Sequence, residues 1–492
     1  MLQQKLKKNS LQLALVLLAG LGLLFFIINK AYNLSFTHDE SYSYLHYVHQ
    51  GFMDIISYKT PYTNNHILNT VLMKYCEVFF GNSEIALRLP NILAFILYSV
   101  FAILLLYKYS PKLILPFYLL LVLNPYLLDF FALARGYGLS IGFLLMSIYY
   151  LSICFSTKQN KHLILFNVGA FLAVMSNFSL LNYYFAALII FNVIHYIKIK
   201  CDSSEEQNSF HFYKTNKINL IAVLLSGIVL YEPLRRISKK SMLDFGGKIG
   251  FMQDTVGSAI DDLFYEMHVT EFYVILLKAF ILLVVFCSLI LIVINIIKKE
   301  DEFFTKNIPL VLVNLILFTI VLITLFQHIL LGNDFYEHRF ALFFYPLFIL
   351  NFIFLNSYFY NKHYKWMSLT FNYMLAILLL INLFHNHSVV YFKDWKYDQC
   401  TKLVMQQLIK EHDKLPNRKI RLGINWLFEP STNFYRYTLN LNWLNPTHRR
   451  GINANDDYLY LFKTDSEMPM FANRTVLFLD EKTECLLIKN RD

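Results

Sequence analysis

A histidine and two carboxylates, in the stretch Thr37-His38-Asp39-Glu40, are the side chains of this sequence best placed to do chemistry. They follow an apolar run, residues 11–28, that is long enough to cross a bilayer. A carboxylate partly desolvated there is expected to have a raised pKa, which makes it a better general base. Because neighbouring side chains point in different directions, Asp39 and Glu40 can hold different roles. The alternative is a solvated acidic cap on a membrane span.

The same stretch can alternatively bind a divalent metal ion, and the candidate ligands are Asp39, Glu40 and His38. His38 can also be a hydrogen-bond partner, although a lone histidine is more often a polar loop residue. The six cysteines form no metal-type cluster in the sequence. The sequence therefore predicts no certain cofactor, and leaves a divalent metal ion open.

Arginines recur at the predicted outer ends of spans, at Arg88, Arg135 and Arg339. A single arginine in such a place commonly extends its charge to the interface. Several on one face, opposite a carboxylate pair, indicate an anion site, because guanidinium forks bind phosphate through two hydrogen bonds. These arginines are therefore predicted to bind substrate phosphate.

Further substrate contacts are predicted in the segment after the acidic stretch and at the start of a later span. His66, together with Asn65, can bind a sugar hydroxyl or a carboxylate, or can form a turn, since asparagine caps helices well. Lys59, which precedes them in the same loop, is also a predicted substrate contact. Tyr137 can stack on a sugar ring, or can belong to the aromatic belt common in membrane proteins.

These residues must be positioned by membrane-spanning helices. The chain has 492 residues, of which 56% are hydrophobic and only 16% charged. Apolar runs near 20 residues long recur along it, which predicts a polytopic α-helical membrane protein with about eleven transmembrane helices. The predicted spans are residues 11–29, 91–107, 112–131, 138–155, 162–176, 180–197, 218–231, 272–297, 307–331, 340–358 and 366–384.

The distribution of Lys and Arg predicts the orientation. These residues concentrate in short segments on one side of the predicted spans, which places that side and the N-terminus in the cytoplasm and the C-terminus outside. The net charge of +10 is therefore a topology signal and predicts no nucleic-acid partner. Arg235, Arg236, Lys239 and Lys240 are expected to contact membrane lipid headgroups or an anionic carrier lipid.

Two domains are predicted. Residues 1–384 form a transmembrane catalytic domain with long outer loops at 30–90 and 232–271, and residues 385–492 form a small extracytoplasmic α/β domain. In the first loop, apolar residues at helical spacing predict a helix over 67–80. In the tail, 419–426 and 458–462 read as strands, and 475–479 with 484–488 as a hairpin.

The order of these motifs resembles a known family. It consists of a first span followed by an acidic pair, then Asn65-His66 before an amphipathic helix, then Ala86-Leu87-Arg88-Leu89-Pro90, then Ala134-Arg135-Gly136-Tyr137-Gly138 after a proline-containing span. This order is similar to that of bacterial integral-membrane glycosyltransferases of the GT-C superfamily. The similar branch is that of the dolichyl-phosphate-mannose protein mannosyltransferase-like enzymes, which includes the lipid A aminoarabinose transferases.

The resemblance implies that Asp39 is the catalytic carboxylate and that Glu40 is the second acidic position. It implies transfer of a hexosyl or pentosyl group from a polyprenyl-phosphate carrier to a glycan, lipid or protein acceptor, usually with inversion. The active site would face the periplasm or outside of a bacterial inner membrane. Relatives often carry a histidine-aromatic pair after the fifth span, where this chain has Asn177-Phe178-Ser179.

The alternative from another functional class is a transporter or flippase of lipid-linked or anionic substrates. A transporter typically shows internal repeats and charges at the membrane midplane. Here the charges lie at predicted outer span ends and the sequence shows no repeat. The two hypotheses differ in geometry, because an enzyme requires Asp39, Arg135 and Arg339 to converge on one outward-facing cavity.

Overall fold

The structure is a computed structural model that describes residues 2–489, except 158, 202–204, 240–244, 363, 387–389, 415, 417, 450–455 and 467–473. Lys240 of the predicted basic group lies outside the described residues. The fold is mostly helical. The α-helices are α1 Leu2–Asn33, α2 His38–Ser43, α3 Phe52–Ile56, α4 Ile67–Phe80, α5 Glu84–Tyr109, α6 Ile114–Val122, α7 Pro125–Phe131, α8 Gly136–Thr157, α9 Asn160–Ser176, α10 Leu181–Cys201, α11 Glu205–Lys239, α12 Val256–Phe264, α13 Glu271–Ile297, α14 Asp301–Lys306, α15 Ile308–Leu331, α16 Phe344–Lys362, α17 Lys365–Asn386, α18 Thr401–Asp413, α19 Glu429–Thr438 and α20 Lys463–Ser466.

Eight of the described helices are long and apolar enough to cross a membrane, or nine spans if one bent helix pair is counted. The chain thus has the helices of a polytopic membrane protein. The other two predicted spans are also helices, α9 and α16, but they fall outside this set. The count of eleven and the orientation stay predictions.

The predicted third span is broken. The helices α6 and α7 meet at an angle of 75° around Asn124-Pro125. Proline cannot donate to the preceding turn and forces the residue before it out of the helical region, and Asn124 accordingly has an extended backbone. Its side chain then caps α7 by accepting from the backbone N–H of Leu127 at 3.1 Å. The bend brings the turn after α7 towards the acidic stretch.

The first outer segment contains the predicted helix, and α4 has the predicted bounds. Before it, Thr37 caps α2: the Thr37 hydroxyl accepts from the Glu40 N–H, and the Glu40 carboxylate accepts from the Thr37 N–H. This reciprocal arrangement is a capping box, which fixes the start of a helix. The acidic stretch is therefore an ordered helix start.

The strands lie in two sheets, and their bounds are β1 Gly246–Gly247, β2 Phe335–Tyr336, β3 Leu422–Ile424, β4 Tyr458–Phe462, β5 Thr475–Asp480 and β6 Cys485–Lys489. The antiparallel pair β1–β2 joins the loop after α11 to the segment before Arg339. The C-terminal sheet has the order β3-β4-β6-β5, with β3 parallel to β4 and the other pairs antiparallel. The predicted strands and the predicted hairpin are confirmed, while the domain boundary at residue 384 stays a prediction.

One hydrophobic cluster joins the first outer segment to the C-terminal sheet. Phe36 and Tyr44 belong to the same buried cluster as Phe434 and Tyr460. The Phe36 and Phe434 rings stack with their centroids 4.2 Å apart. Burial of large aromatic side chains dominates the energy of such contacts. The acidic stretch is therefore held between the membrane helices and the C-terminal region.

Candidate active site

Asp39 lies between two arginines from distant parts of the chain. Its Oδ2 is 3.3 Å from Nη2 of Arg135 and 3.7 Å from Nη1 of Arg339. Arg135 stands in the turn between α7 and α8, and Arg339 in a 3-10 turn before α16. The three side chains therefore lie close together. An outward-facing cavity around them stays a prediction.

Arg339 keeps most of its hydrogen-bonding capacity. Within the described residues its polar contacts are the ion pair with Asp39 and one with Asp394 at 3.8 Å, and both are longer than a hydrogen bond. Its guanidinium carbon lies 5.3 Å from the centroid of the Trp395 ring, and the side chain is 30% exposed. An anion at this site can therefore take its N–H groups without breaking a hydrogen bond.

The pKa of Asp39 differs from the sequence expectation. Burial disfavours its charged form, but Arg135 and Arg339 outweigh the burial and hold the pKa of the Asp39 carboxyl below its ordinary value. The expectation of a raised pKa was therefore wrong, because the sequence does not reveal that both cations lie beside this carboxylate. Asp39 is ionised at neutral pH.

Glu40 and Arg88 form a fully buried ion pair. Nε and Nη2 of Arg88 donate to the two carboxylate oxygens of Glu40 at 2.8 and 2.7 Å. The remaining N–H groups of Arg88 donate to backbone carbonyls, those of Ala31, Leu34 and Ser35. The Glu40 carboxylate also accepts from the backbone N–H of Ala134 at 2.5 Å. Every Arg88 donor is thus occupied, and this pair ties α1, α2, α5 and the turn before Arg135 together.

The close packing around Gly136 places Arg135 and His66. A Cβ atom on Gly136 would lie 1.9 Å from the Ser176 carbonyl oxygen and 2.7 Å from Nδ1 of His66. A side chain at this position would displace the backbone of α9, so only glycine permits the approach. The Arg135 side chain is 3% exposed, and its Nη1 donates to the Asn64 carbonyl at 3.1 Å.

The other predicted substrate contacts lie in different places. His66 and Tyr137 are buried side by side, with their ring centroids 4.8 Å apart. Asn65 supports the loop, since its Oδ1 accepts from the Thr70 hydroxyl at 2.8 Å. Lys59 is exposed and pairs with Asp54 at 3.0 Å, and it has no contact with the Asp39 cluster among the described residues.

Two carboxylates after the last span were missed by the sequence analysis. Asp394 pairs with Arg339 and accepts a hydrogen bond from the Tyr126 hydroxyl at 2.9 Å, and burial raises the pKa of its carboxyl. Asp398 accepts from the backbone N–H of His38 at 2.5 Å and from the Ser431 hydroxyl at 2.7 Å. A signal was present, because both acids lie in the polar segment that follows a predicted span, as Asp39 and Glu40 do.

Asp398→Ala is expected to lower the stability of the protein by about 1–3 kcal/mol, because two buried donors lose their acceptor. Asp398→Asn keeps an acceptor oxygen and is expected to cost less. The measurement is the thermal unfolding midpoint of the detergent-purified protein. Asp413→Ala, at an exposed position on α18, is the control that should leave the midpoint unchanged. An unaltered midpoint for Asp398→Ala would contradict the role of Asp398 in holding the acidic stretch.

The metal-ligand candidates already have other partners. Glu40 is occupied by Arg88, and Asp39 faces two cations. Nδ1 of His38 lies 2.7 Å from the Leu427 carbonyl oxygen, and burial lowers the pKa of its ring. Across the described ranges, no group of three or more His, Cys, Asp or Glu side chains is placed to hold a metal ion. The charged side chains nearest to Asp39 and Glu40 are the cations Arg88, Arg135 and Arg339. A divalent metal ion at this stretch stays a prediction.

The comparisons with known proteins find structural likeness only. No protein-family model matches the sequence, and no curated protein matches it. The structure is similar to ArnT from Cupriavidus metallidurans bound to undecaprenyl phosphate, with 8% identity, 97% of this chain and 98% of that chain covered, and a TM-score of 0.54. The apo structure of the same ArnT matches with 9% identity over 98% of both chains and a TM-score of 0.49.

The first of these likenesses shows the fold. The polytopic helical fold is therefore confirmed and is like that of ArnT, while the number of spans, the orientation and the separate C-terminal domain stay predictions.

Proposed function

We propose that this protein is a glycosyltransferase that moves a sugar from a polyprenyl-phosphate carrier to an acceptor on the outer face of the membrane. The observation that carries the proposal is the ionised Asp39 carboxylate, which lies between Arg135 and Arg339. The N–H groups of Arg339 form no hydrogen bond among the described residues and can bind an anion. The ArnT structure with the same fold contains undecaprenyl phosphate, which supports a carrier of this class.

Arg339 binds the phosphate of the carrier in this proposal. Its guanidinium is 30% exposed and forms only long ion pairs among the described residues, so a phosphate gains short charge-assisted hydrogen bonds there. The phosphate is also the leaving group, and negative charge grows on it as the bond to the sugar breaks. Arg339, assisted by Arg135, stabilises that charge in a site where the cations are already positioned.

Asp39 is the general base. The acceptor hydroxyl oxygen forms a bond to the anomeric carbon, the bond from that carbon to the phosphate oxygen breaks, and the hydroxyl proton passes to Asp39. Attack from the side opposite the phosphate inverts the anomeric centre. A bound phosphate partly neutralises Arg339, which removes one cause of the low pKa of Asp39. The base therefore gains strength when the carrier is bound.

The deciding experiment follows the fate of a labelled sugar. Purified protein is mixed with undecaprenyl-phosphate sugars bearing labelled mannose, glucose or aminoarabinose, and with envelope membranes from a strain lacking the gene. A glycosyltransferase moves label from the carrier lipid into another envelope molecule. A transporter or flippase leaves the label on the carrier, and that outcome would overturn the proposal.

Arg339→Gln is expected to weaken binding of undecaprenyl phosphate by about 10- to 100-fold, since hydrogen bonds to charged groups contribute about 1.5–3 kcal/mol each. Binding of undecaprenol, which lacks the phosphate, should not change. The measurement is a ligand titration followed by thermal shift in detergent. Arg418→Gln is the matched control, because Arg418 is 55% exposed and pairs with Asp457 in the C-terminal region. Equal losses for both ligands would contradict a phosphate contact.

A further inference from the structure

The direction of the Arg339 side chain depends on the residues around it, because among the described residues it forms no hydrogen bond. Its Nη1 lies 3.8 Å from Oδ2 of Asp394, and its guanidinium lies over the Trp395 ring. An arginine side chain has many rotamers, and ordering it costs conformational entropy. The position of Arg339 is therefore set by how the turn that carries it is held against the segment that carries Asp394.

One buried carboxylate, that of Asp262 on α12, joins these two segments. Its Oδ1 accepts from Nζ of Lys393 at 2.6 Å and from Nδ1 of His338 at 3.2 Å. An ionised carboxylate can only accept, so Nδ1 of His338 carries the proton. His338 directly precedes Arg339 in the chain, and Lys393 directly precedes Asp394. Asp262 thus binds one chain neighbour of each member of the Arg339–Asp394 pair.

The helix α12 holds the turn at a second point. The Ser258 hydroxyl oxygen accepts from the backbone N–H of His338 at 3.0 Å. Ser258 and Asp262 are four residues apart, which places them on one face of the helix. The hydrogen bond from Asp262 raises the pKa of the His338 ring, because it favours the charged form. Both the backbone and the ring of His338 are therefore fixed by α12.

Two features of this contact are unfavourable for stability. His338 has a backbone φ of 48°, in the left-handed region that is uncommon for a residue with a side chain. Asp262 is 3% exposed, and its Oδ2 has no hydrogen-bond partner among the described residues. Strained backbone conformations cluster at functional sites, and a buried polar atom without a partner requires an explanation. Both features occur at the contact that precedes Arg339, which indicates that the contact serves the site.

We propose that Asp262 is a positioning residue, which fixes the direction of Arg339 and thereby sets the affinity of the protein for a polyprenyl phosphate. The proposal rests on the proposed function. Asp262 acts through the residues before Arg339 and Asp394 and does not touch the phosphate. It keeps the Arg339 guanidinium beside Asp39, with its N–H groups available to the ligand. An arginine that is positioned in advance loses less freedom on binding, which increases affinity.

The experiment is a double-mutant cycle with Asp262→Asn and Arg339→Gln in the full-length protein in detergent. Undecaprenyl phosphate and undecaprenol are each titrated against the wild-type protein, both single variants and the double variant, and binding is followed by thermal shift. Asp262→Asn is expected to weaken binding of undecaprenyl phosphate about three- to tenfold and to leave undecaprenol binding unchanged. In the Arg339→Gln background it should cause no further loss, because two residues that act through one contact are not additive.

Further variants separate positioning from folding. Asp262→Glu keeps a carboxylate and should recover part of the affinity that Asp262→Asn loses. Ser258→Ala removes only the acceptor of the His338 N–H and should weaken binding of undecaprenyl phosphate about twofold, so it replaces Asp262→Asn in the cycle if that variant does not fold. Asp261→Asn, at the exposed neighbouring position on α12, is the matched control and should bind both ligands as the wild type does.

The outcomes separate the role of Asp262 from the proposed function. The positioning role is overturned if the α12 variants bind undecaprenyl phosphate as tightly as the wild type. It is also overturned if they lose the same factor for both ligands, or the same factor with and without Arg339. If Arg339→Gln itself does not weaken binding of undecaprenyl phosphate, the proposed function fails. A loss that is confined to the phosphate ligand and disappears in the Arg339→Gln background supports both.

Discussion

Asp39→Asn is expected to reduce sugar transfer by about 10²–10⁴-fold, the usual contribution of a general base, while the protein remains folded and inserted. The amide keeps the size of the carboxylate but cannot take the acceptor proton. It also removes the negative charge beside Arg135 and Arg339, so the carrier phosphate should bind at least as tightly as in the wild type. The measurement is mass spectrometry of envelope glycans from a deletion strain that expresses either form, together with the labelled-sugar assay.

The control for this prediction is Asp54→Asn, an acid of the same outer segment that pairs with the exposed Lys59. It should retain normal transfer. A second readout is the pH profile at low carrier concentration, which reports the pKa of the free protein. Arg135 and Arg339 lower the pKa of Asp39, so wild-type transfer should persist at pH values below the ordinary carboxyl pKa and fall only when the pH drops below the lowered pKa. Arg339→Gln removes one cation, and the acid limb of the profile should then move to higher pH. Near-normal transfer by Asp39→Asn would exclude Asp39 as the base.

Membrane helices and C-terminal strands were predictable because their signals are local. Long apolar runs identified the spans, and short continuous runs of apolar and aromatic residues identified strands such as β4. The pair Asn124-Pro125 is a sequence signal for a helix break. The bend was not predicted, because the apolar run continues through this pair. The shared cluster of Phe36 and Phe434 could not be predicted, because it joins residues at opposite ends of the chain.

The candidate site was likewise predictable only in part. Position at outer span ends identified Asp39, Arg135 and Arg339, which do converge. Arg88 also lies at a predicted outer span end, so sequence position could not distinguish it from the other two arginines. It differs from them in its hydrogen-bond partners. Every N–H group of Arg88 donates a hydrogen bond within the protein. Among the described residues, Arg339 donates no hydrogen bond. We therefore propose that Arg88 and Glu40 hold the acidic stretch in place and do not touch the substrate.

Arg88→Met is expected to destabilise the protein by about 3–5 kcal/mol, the usual cost of leaving one member of a buried ion pair without its partner. Glu40 would stay buried without its counterion, and the carbonyls of Leu34 and Ser35 would lose their donor. The measurements are the thermal unfolding midpoint in detergent and the amount of folded protein in the membrane. Arg418→Met, which breaks an exposed pair, should cost at most about 1 kcal/mol.

The same variant separates a structural from a binding role for Arg88. If Arg88 contacted the carrier phosphate, Arg88→Met would fold normally and lose affinity for undecaprenyl phosphate, as Arg339→Gln should. If Arg88 holds the acidic stretch, the unfolding midpoint falls, and the fraction that remains folded still binds the carrier through Arg339. Adding Glu40→Leu to Arg88→Met removes the unpaired charge and should recover part of the lost stability, although the backbone groups of Ala134 and Leu34 stay unpaired. No recovery in the double variant would indicate that these backbone contacts, more than the ion pair, carry the stabilisation.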